Sequence, residues 1–317
     1  MSLLEKIENA SSVLISGHVR PDGDCAGSCL GLWNYIRANY PEKEAAVYLE
    51  PLPNNLKFLP GVSGILSVEQ LPETADLFVS LDASTADRLG AAAKFLEKSR
   101  DSVVIDHHVT NTGFGKENVI NGDASSACEV LYEQLREDGM TKEAAVCLYT
   151  GIIHDTGVFK YSATKERTMQ IAGRLMSFGI DTAKLIDESF YEKTLLQTRL
   201  SAYAVSRAET ALSGKLIYTV LSMEDMKRFE AVLSDTEGII DQLRLVKGTE
   251  VAIFAREDAE NTYKFSFRSK SLVNVADIAA EYGGGGHKFA AGVTLAGDLS
   301  ELLHTFTERI QEALSEA

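Results

Sequence analysis

Three continuous apolar runs that each stop in aspartate or histidine constrain this chain more than any other feature. SVLISGH at 12–18, DLFVSLD at 76–82 and SVVIDHH at 102–108 are dominated by Val, Leu and Ile until their last residues. Apolar runs without polar alternation fit strands covered on both faces, as in a parallel sheet. AAVYLE at 45–50 is a further strand candidate. Helix-period segments separate these runs: CAGSCLGLWNYIRANY at 25–40, ended by Pro41, then about 125–138, 142–154 and 165–178, the last ended by Gly179. Strands alternating with helices predict a doubly wound, mainly parallel α/β domain. Open sheets of that kind bind ligands beyond the carboxyl ends of their strands. The polar ends of the three runs fall there, and a fourth motif, GIIHDTG at 151–157, would bring His154 and Asp155 in at a helix end.

The chain has only six histidines, and His18, His107, His108 and His154 all lie inside these motifs, with His287 in the glycine run YGGGGH. Imidazole with carboxylate is a ligand set for Mn, Zn or Fe, and two adjacent ions suit phosphoryl chemistry. In HVRPDGD a turn through Pro21 and Gly23 would aim His18, Asp22 and Asp24 at one centre, a set that favours Mn²⁺. A second reading stays open, in which Asp22 and Asp24 only cap the helix that follows. Asp82 is either a ligand or a turn residue at its strand end. Asp106-His107-His108 is harder to dismiss, because an unpaired carboxylate ending a buried strand is costly. Its two histidines point apart, so one can meet a metal while the other meets substrate or orients a proton. Asp155, before Thr156-Gly157, is a ligand or a helix terminus, and His154 lies beside the ligands or is simply packed.

The second half changes character. The stretch from about 182 to 210 is helical and polar, without Pro or Gly. Residues 186–210 read as a helical connector between a domain at 1–185 and a smaller α/β domain at 211–317. Strand candidates there are KLIYTVLS (215–222), EVAIFARE (250–257), YKFSFRSK (263–270) and GVTLAG (292–297), closed by the amphipathic helix LSELLHTFTERIQEALSEA. The run Gly283 to Gly286 allows a backbone to approach a phosphate closely, or is only a flexible turn. Arg268 is a phosphate ligand or solvated surface.

Charge narrows the partners. With 46 acidic against 31 basic residues the net charge is −15, which argues against coating long DNA or RNA. A short nucleotide held through cations remains compatible. The polar opening MSLLEKIENASS and the lack of any apolar run near about 20 residues predict a cytoplasmic protein with no membrane partner. Cys25, Cys29, Cys128 and Cys147 lie in apolar contexts. Cys25 and Cys29 share a helix face, but no second pair accompanies them at zinc-finger spacing, so reduced, packed thiols are expected.

These motifs together resemble the DHH superfamily of phosphoesterases, named for Asp106-His107-His108. HVRPDGD, the aspartate of SLDAS, VIDHH and the HD of GIIHDTG occur in that family's order, and GGGGHKFAAG at 283–292 is similar to the signature of its DHHA1 domain. The resemblance implies a DHH metal-binding domain and a smaller DHHA1 substrate-binding domain, with the active site in the cleft between them. It implies two Mn²⁺, with Co²⁺ or Mg²⁺ as substitutes: one held by His18, Asp22 and Asp82, the other by Asp24, Asp82, His107 and Asp155, with Asp82 bridging. His108 is then expected at the scissile phosphate, and Arg268, Gly285, Gly286 and His287 at the substrate phosphate. Within the superfamily the chain looks most like the NrnA-type enzymes, which degrade short RNA oligonucleotides and remove the 3′-phosphate of 3′-phosphoadenosine 5′-phosphate (pAp). A stand-alone c-di-AMP or pApA phosphodiesterase and a non-catalytic nucleotide-sensing module are the alternatives. A homodimer is compatible with the class, with no interface located in the sequence.

Overall fold

A computed structural model describes residues 2–316, and the chain divides into two compact units between Glu192 and Lys193. The first unit begins with α1 (Leu3–Asn9), whose capping box joins Ser2 and Glu5, and continues into β1 (Ser12–Ser16), α2 (Gly23–Asn39) and β2 (Glu44–Tyr48). It goes on through β3 (Leu77–Leu81), α3 (Ala93–Lys98), β4 (Asp101–Asp106), β5 (Glu117–Ile120) and α4 (Ala127–Tyr132). α5 (Lys142–Asp155), α6 (Glu166–Met176) and α7 (Thr182–Ile186) complete it.

All five strands are parallel, in the order β2-β1-β3-β4-β5. The apolar runs are central strands for the expected reason: alternate residues feed two cores. Val13, Ile15, Leu77, Val79, Leu81, Val103 and Ile105 pack under the face covered by α2, α4 and α5, whereas Leu14, Phe78 and Ala83 pack with Leu89 and Phe95 on the other. β5 was not legible as a strand. Only four residues long and only partly buried, it lies at the sheet edge with no apolar run to mark it. The helix expected over 125–138 stops at Tyr132, before a short turn at Glu137–Gly139.

The consequence for function lies in the strand order. β1 and β3 are adjacent although β2 intervenes in sequence, so the crossovers leave β1 and β3 in opposite directions. The crevice at such a switch point is where open α/β sheets place their ligand. His18 follows β1 and Asp82 follows β3.

The second unit contains α8 (Leu195–Ser206), β6 (Glu209–Ala211), β7 (Leu216–Leu221), α9 (Met223–Arg228), α10 (Ile239–Arg244), β8 (Val251–Ala259) and β9 (Thr262–Ser269). α11 (Val275–Glu281), β10 (Gly285–His287), β11 (Ala290–Ala296) and α12 (Leu299–Glu316) follow. Its mixed sheet runs β10-β11-β9-β8-β7-β6, with only the β7–β8 pair parallel. Residues expected in a connector form α8, whose Leu200 and Ala204 pack with Ile217, Leu221 and Phe254. On the opposite face Phe306 of α12 meets Phe265 and Phe267 edge-on, each with ring centroids 4.9 Å apart. Among the described residues no helix is long and apolar enough to cross a membrane. Phe306→Ala is expected to cost about 3–5 kcal/mol, the range for truncating a packed core aromatic. Urea unfolding of the variant beside the parent checks it, and a loss below about 1 kcal/mol would mean that the ring is not a keystone of this core.

A candidate metal centre at the carboxyl edge of the first sheet

Each sequence motif of the first unit is delivered to one place by the strand or helix that precedes it. β1 ends two residues before His18, whose Nδ1–H donates to the Val19 carbonyl at 2.9 Å and leaves Nε2 turned inward. That Nε2 stands 3.4 Å from Asp82 Oδ2 and 3.7 Å from Asp22 Oδ1. Asp22 is also the N-cap of α2, accepting from the backbone N–H groups of Asp24 and Cys25, each at 3.1 Å. The capping reading of Asp22 is therefore realised, and the same oxygen also faces His18. Asp24 does not cap α2. It is fully buried and accepts from Ala127 N at 2.6 Å and Cys128 N at 2.9 Å, at the start of α4.

Asp82 is the hub. Its Oδ2 faces His18, while its Oδ1 lies 3.6 Å from His107 Nε2 and 3.7 Å from His108 Nδ1. The residue sits in the left-handed region at φ 54° while its N–H continues the ladder to Ile105 O. A non-glycine residue held there is strained, and such strain collects at functional sites. His107 Nε2 also faces Asp155 Oδ2 at 3.2 Å and Asp24 Oδ2 at 3.8 Å.

Asp106 does something different. Its Oδ1 accepts from His107 N at 2.8 Å and His108 Nδ1 at 2.7 Å, and its Oδ2 accepts from the Asn111 amide at 2.7 Å. With both oxygens engaged, Asp106 is an anchor that fixes the two histidines. Asn111 in turn donates to Ala83 O at 3.0 Å. Sequence reasoning missed Asn111, since an asparagine five residues past a strand looks like any turn residue.

His154 is packed. Its ring lies 4.5 Å from that of Phe190, and its buried Nε2 has no hydrogen-bond partner among the described residues. Gly23 is glycine because a Cβ there would stand 2.1 Å from the His154 ring. Burial lowers His154 to about 4, with Asp22 opposing. The cysteines are free and buried, as expected. Cys25 reaches the edge of the His18–Asp82 pair, but burial pushes its thiol well up, which keeps it protonated.

The electrostatics describe a site short of cations. Burial first, and the charge of Asp82 second, raise Asp24 to about 7; burial, Asp24 and Asp82 raise Asp155 well above the carboxylate range. Burial opposes charge on His107, yet Asp82, Asp24 and Asp155 lift it to about 10. Burial likewise opposes charge on His18, which Asp22 and Asp82 nevertheless raise, while the hydrogen bond to Asp106 raises His108. Asp22 falls to about 2, because His18 and the α2 amides outweigh its burial.

The donor set fits divalent metal ions. Direct charge-assisted hydrogen bonds run at about 2.7–2.9 Å, and the imidazole–carboxylate pairs above, at 3.2–3.8 Å, are wider. Ligands about 2.1 Å from one ion and roughly 90–120° apart would stand about 3.0–3.6 Å from one another. His18 with Cys25 and Asp82, Asp24 with His107 and Asp155, and Asp82 with Asp106, His107 and His108 each form a compact group of candidate ligand atoms. A histidine that donates one ring N–H to a carbonyl, as His18 does, presents the other nitrogen to a metal.

In the second unit the glycine run is a short edge strand rather than a loose loop. His287, Ala290 and Arg268 stand in register across β10, β11 and β9, as do Gly285, Gly292 and Ser266 one step along. Arg268 and His287 thus share one face of the sheet, opposite to Phe265 and Phe267. A Cβ on Gly286 would lie 2.4 Å from Ala290 O, whereas one on Gly285 would meet nothing within 4 Å.

A parallel sheet gathering four aspartates and three histidines at the carboxyl edge of its switch point is the layout of a metal-assisted hydrolase. Residues 12–152 match the DHH family, N-terminal domain, and residues 214–316 match the DHHA1 domain, so the chain belongs to the DHH family and carries a DHHA1 domain. It is 33% identical over 310 residues to the "Bifunctional oligoribonuclease and PAP phosphatase NrnA" of Thermus thermophilus, covering 96% of this chain and 91% of that protein. The protein of the same name from Bacillus subtilis is 27% identical over 303 residues, covering 92% of each. A solved exopolyphosphatase-related protein from Bacteroides fragilis superposes with a TM-score of 0.86 at 27% identity, over 99% of this chain and 94% of that one.

The sign of the Asp24 shift gives a test. A carboxyl at about 7 when folded, against 3.8 as its ordinary value, binds more protons folded than unfolded between those limits. Asp24 therefore contributes stability that is lost as pH rises from about 4 to about 7, while His154, lowered to about 4, contributes the opposite slope over the same range. Urea unfolding in EDTA of the parent beside Asp24→Asn isolates the first: the variant is expected to gain stability relative to the parent as pH rises, added Mn²⁺ to stabilise the parent most at the upper end, and parallel metal-free profiles would contradict the assigned crowding.

Proposed function

We propose that this chain is a Mn²⁺-dependent phosphoesterase that hydrolyses short oligoribonucleotides to mononucleotides and removes the 3′-phosphate of pAp to give AMP. The observation that carries the reading is the place of Asp82, one oxygen towards His18 and the other towards His107. Such a placement would suit a carboxylate shared by two ions. The names of the Thermus and Bacillus relatives support the substrate class.

His18, Asp22 and Asp82 would hold one ion, and Asp24, Asp82, His107 and Asp155 the other. A bound pair of dications supplies Lewis acidity towards phosphoryl oxygens and acidifies the attacking water. The protein's own groups do the rest. Asp106 fixes His108 Nδ1 as a donor, so Nε2 is free to hydrogen-bond a phosphoryl oxygen, and the raised affinity of this ring for protons favours its donor form. His108 is 42% exposed at its side chain, open to substrate in a way that buried Asp82 is not. In the second unit Arg268, Gly285, Gly286 and His287 would take substrate phosphate, the first and last as charged or polar donors on a shared face, Gly285 by leaving that face open and Gly286 through its exposed backbone. Arg is suited to this because its planar fork matches two phosphate oxygens.

Product release from pAp and a 5′-labelled RNA dinucleotide, with Mn²⁺ and with EDTA, tests the reading. Metal-dependent formation of AMP and mononucleotides is expected. Asp82→Asn, which retains tolerance of the left-handed backbone, should lose more than about 1000-fold in turnover, the order seen when a central electrostatic group is removed. Full activity with metal bound would sink the bridging role.

The two phosphate-contacting groups separate kinetically. Arg268→Ala should chiefly raise KM, by about 10-fold or more, as loss of a charged hydrogen bond does. His108→Ala should chiefly lower kcat while the protein still binds two Mn²⁺ by titration. An unchanged KM in the first variant would place Arg268 outside the site.

A further inference from the structure

Two exposed apolar side chains flank the ligand cluster of the first unit. Val109, directly after His108, is 83% exposed, and Tyr161, six residues after Asp155, is 51% exposed. The segments that carry them meet, since His107 Nε2 lies 3.2 Å from Asp155 Oδ2. A chain of contacts also links them. Val109 leans over Gly122, where a Cβ would stand 2.6 Å from its Cγ1. The next residue, Asp123, pairs with Lys165 at 2.9 Å, and Lys165 follows the turn that Tyr161 begins by accepting from Thr164 N at 3.0 Å.

The backbone reaches this arrangement through strain. Gly157, Val158 and Phe159 are consecutive left-handed residues at φ 55°, 57° and 63°. Valine is β-branched and avoids that region, so the turn persists only because its surroundings hold it. Thr156 is the clamp: its carbonyl accepts from Lys160 N and Tyr161 N, each at 2.8 Å, and its hydroxyl accepts from Phe159 N at 3.0 Å. The outcome is a sorting of two rings. Phe159 turns inward against Tyr149, with centroids 6.1 Å apart. Tyr161 is turned outward with its ring tip over Gly157, where a Cβ would stand 2.5 Å from Cζ. Its hydroxyl has no hydrogen-bond partner among the described residues. Core packing explains the first ring and leaves the second without a role.

We propose that Tyr161, aided by the exposed Val109, is a stacking platform for a nucleobase of the substrate. The inference rests on the reading of the chain as a phosphoesterase of short nucleotides, and it adds where a base is held. Stacking on an exposed ring requires no charge and accepts any base, because every base has a π-face. It suits a chain of net charge −15, since it adds affinity without further cationic side chains.

The test compares KM for pAp with KM for its baseless counterpart, ribose 3,5-bisphosphate, in the Mn²⁺-loaded parent, Tyr161→Ala, Tyr161→Phe and Val109→Ala. Tyr161→Ala should raise KM for pAp by about 10- to 100-fold, with kcat and the constants for the baseless substrate unchanged and Tyr161→Phe close to the parent. An unchanged KM for pAp, or an equal loss on both substrates, overturns the platform while leaving the function standing. Should the parent hydrolyse neither pAp nor an RNA dinucleotide, the functional reading falls instead. Calorimetric binding of AMP and ribose 5-phosphate then decides the platform: selective loss of AMP affinity in Tyr161→Ala supports it, and equal affinity in parent and variant overturns it.

Discussion

Like-charge crowding at the carboxyl edge of the first sheet is the constraint on which the rest of this structure depends. Asp24, Asp82 and Asp155 converge on His107 in a region largely closed to water, and Asp24 is wholly buried. Such crowding raises the proton affinity of Asp24 and Asp155 and works against folding unless positive charge is supplied. A structure that retains it is suited to binding positive charge. The left-handed backbone of Asp82 fits the same account, since strain of that kind collects at functional sites.

The groups that hold the cluster are mostly backbone dipoles. Asp24 rests on the first amides of α4, Asp22 on those of α2, and His18 on a neighbouring carbonyl. Asp106 and Asn111 extend this support to His107 and His108. The Asp82 and Asp155 carboxylates face only the histidines, whereas Asp22, Asp24 and His18 are oriented by groups outside the candidate ligand set. That is the physical content of preorganisation: the cost of arranging the charges is met during folding by hydrogen bonds and packing. His154 and Gly23 contribute by shape alone, an imidazole ring filling the space that a glycine leaves.

The second unit solves a different problem with different means. Its sheet buries Phe265 and Phe267 on one face and sets Arg268 and His287 in a common row on the other. Small residues at Gly285, Ala290 and Gly292 keep that face low around the two polar side chains. On the proposed function the burden is divided accordingly, with carboxylates and imidazoles for cations in the first unit and an arginine and a histidine for anions in the second.

Much of this was written in the sequence. The apolar runs ending in His18, Asp82 and Asp106-His107-His108 determined central parallel strands with polar carboxyl ends, because a strand buried on both faces has nowhere else to put a charge. Cys25 and Cys147 read as packed thiols and are buried. What the sequence left open were choices between neighbours of equal chemistry. Asp22 and Asp24 are two residues apart in one loop, and only the fold made the first a helix cap facing His18 and sent the second to α4. Asp106 and His107 are adjacent, and only the pairing of Asp106 with Asn111 separated an anchor from a candidate ligand. β5 and β10 were invisible because edge strands of three or four residues carry no periodic signal, their pairing being decided by the strand alongside. The outward turn of Tyr161 was equally hidden, since left-handed residues at Val158 and Phe159 follow from how Thr156 is clamped within the packed unit. Local pattern determined which residues were available for chemistry; long-range packing, which assigns each side chain its partners, decided the role of each.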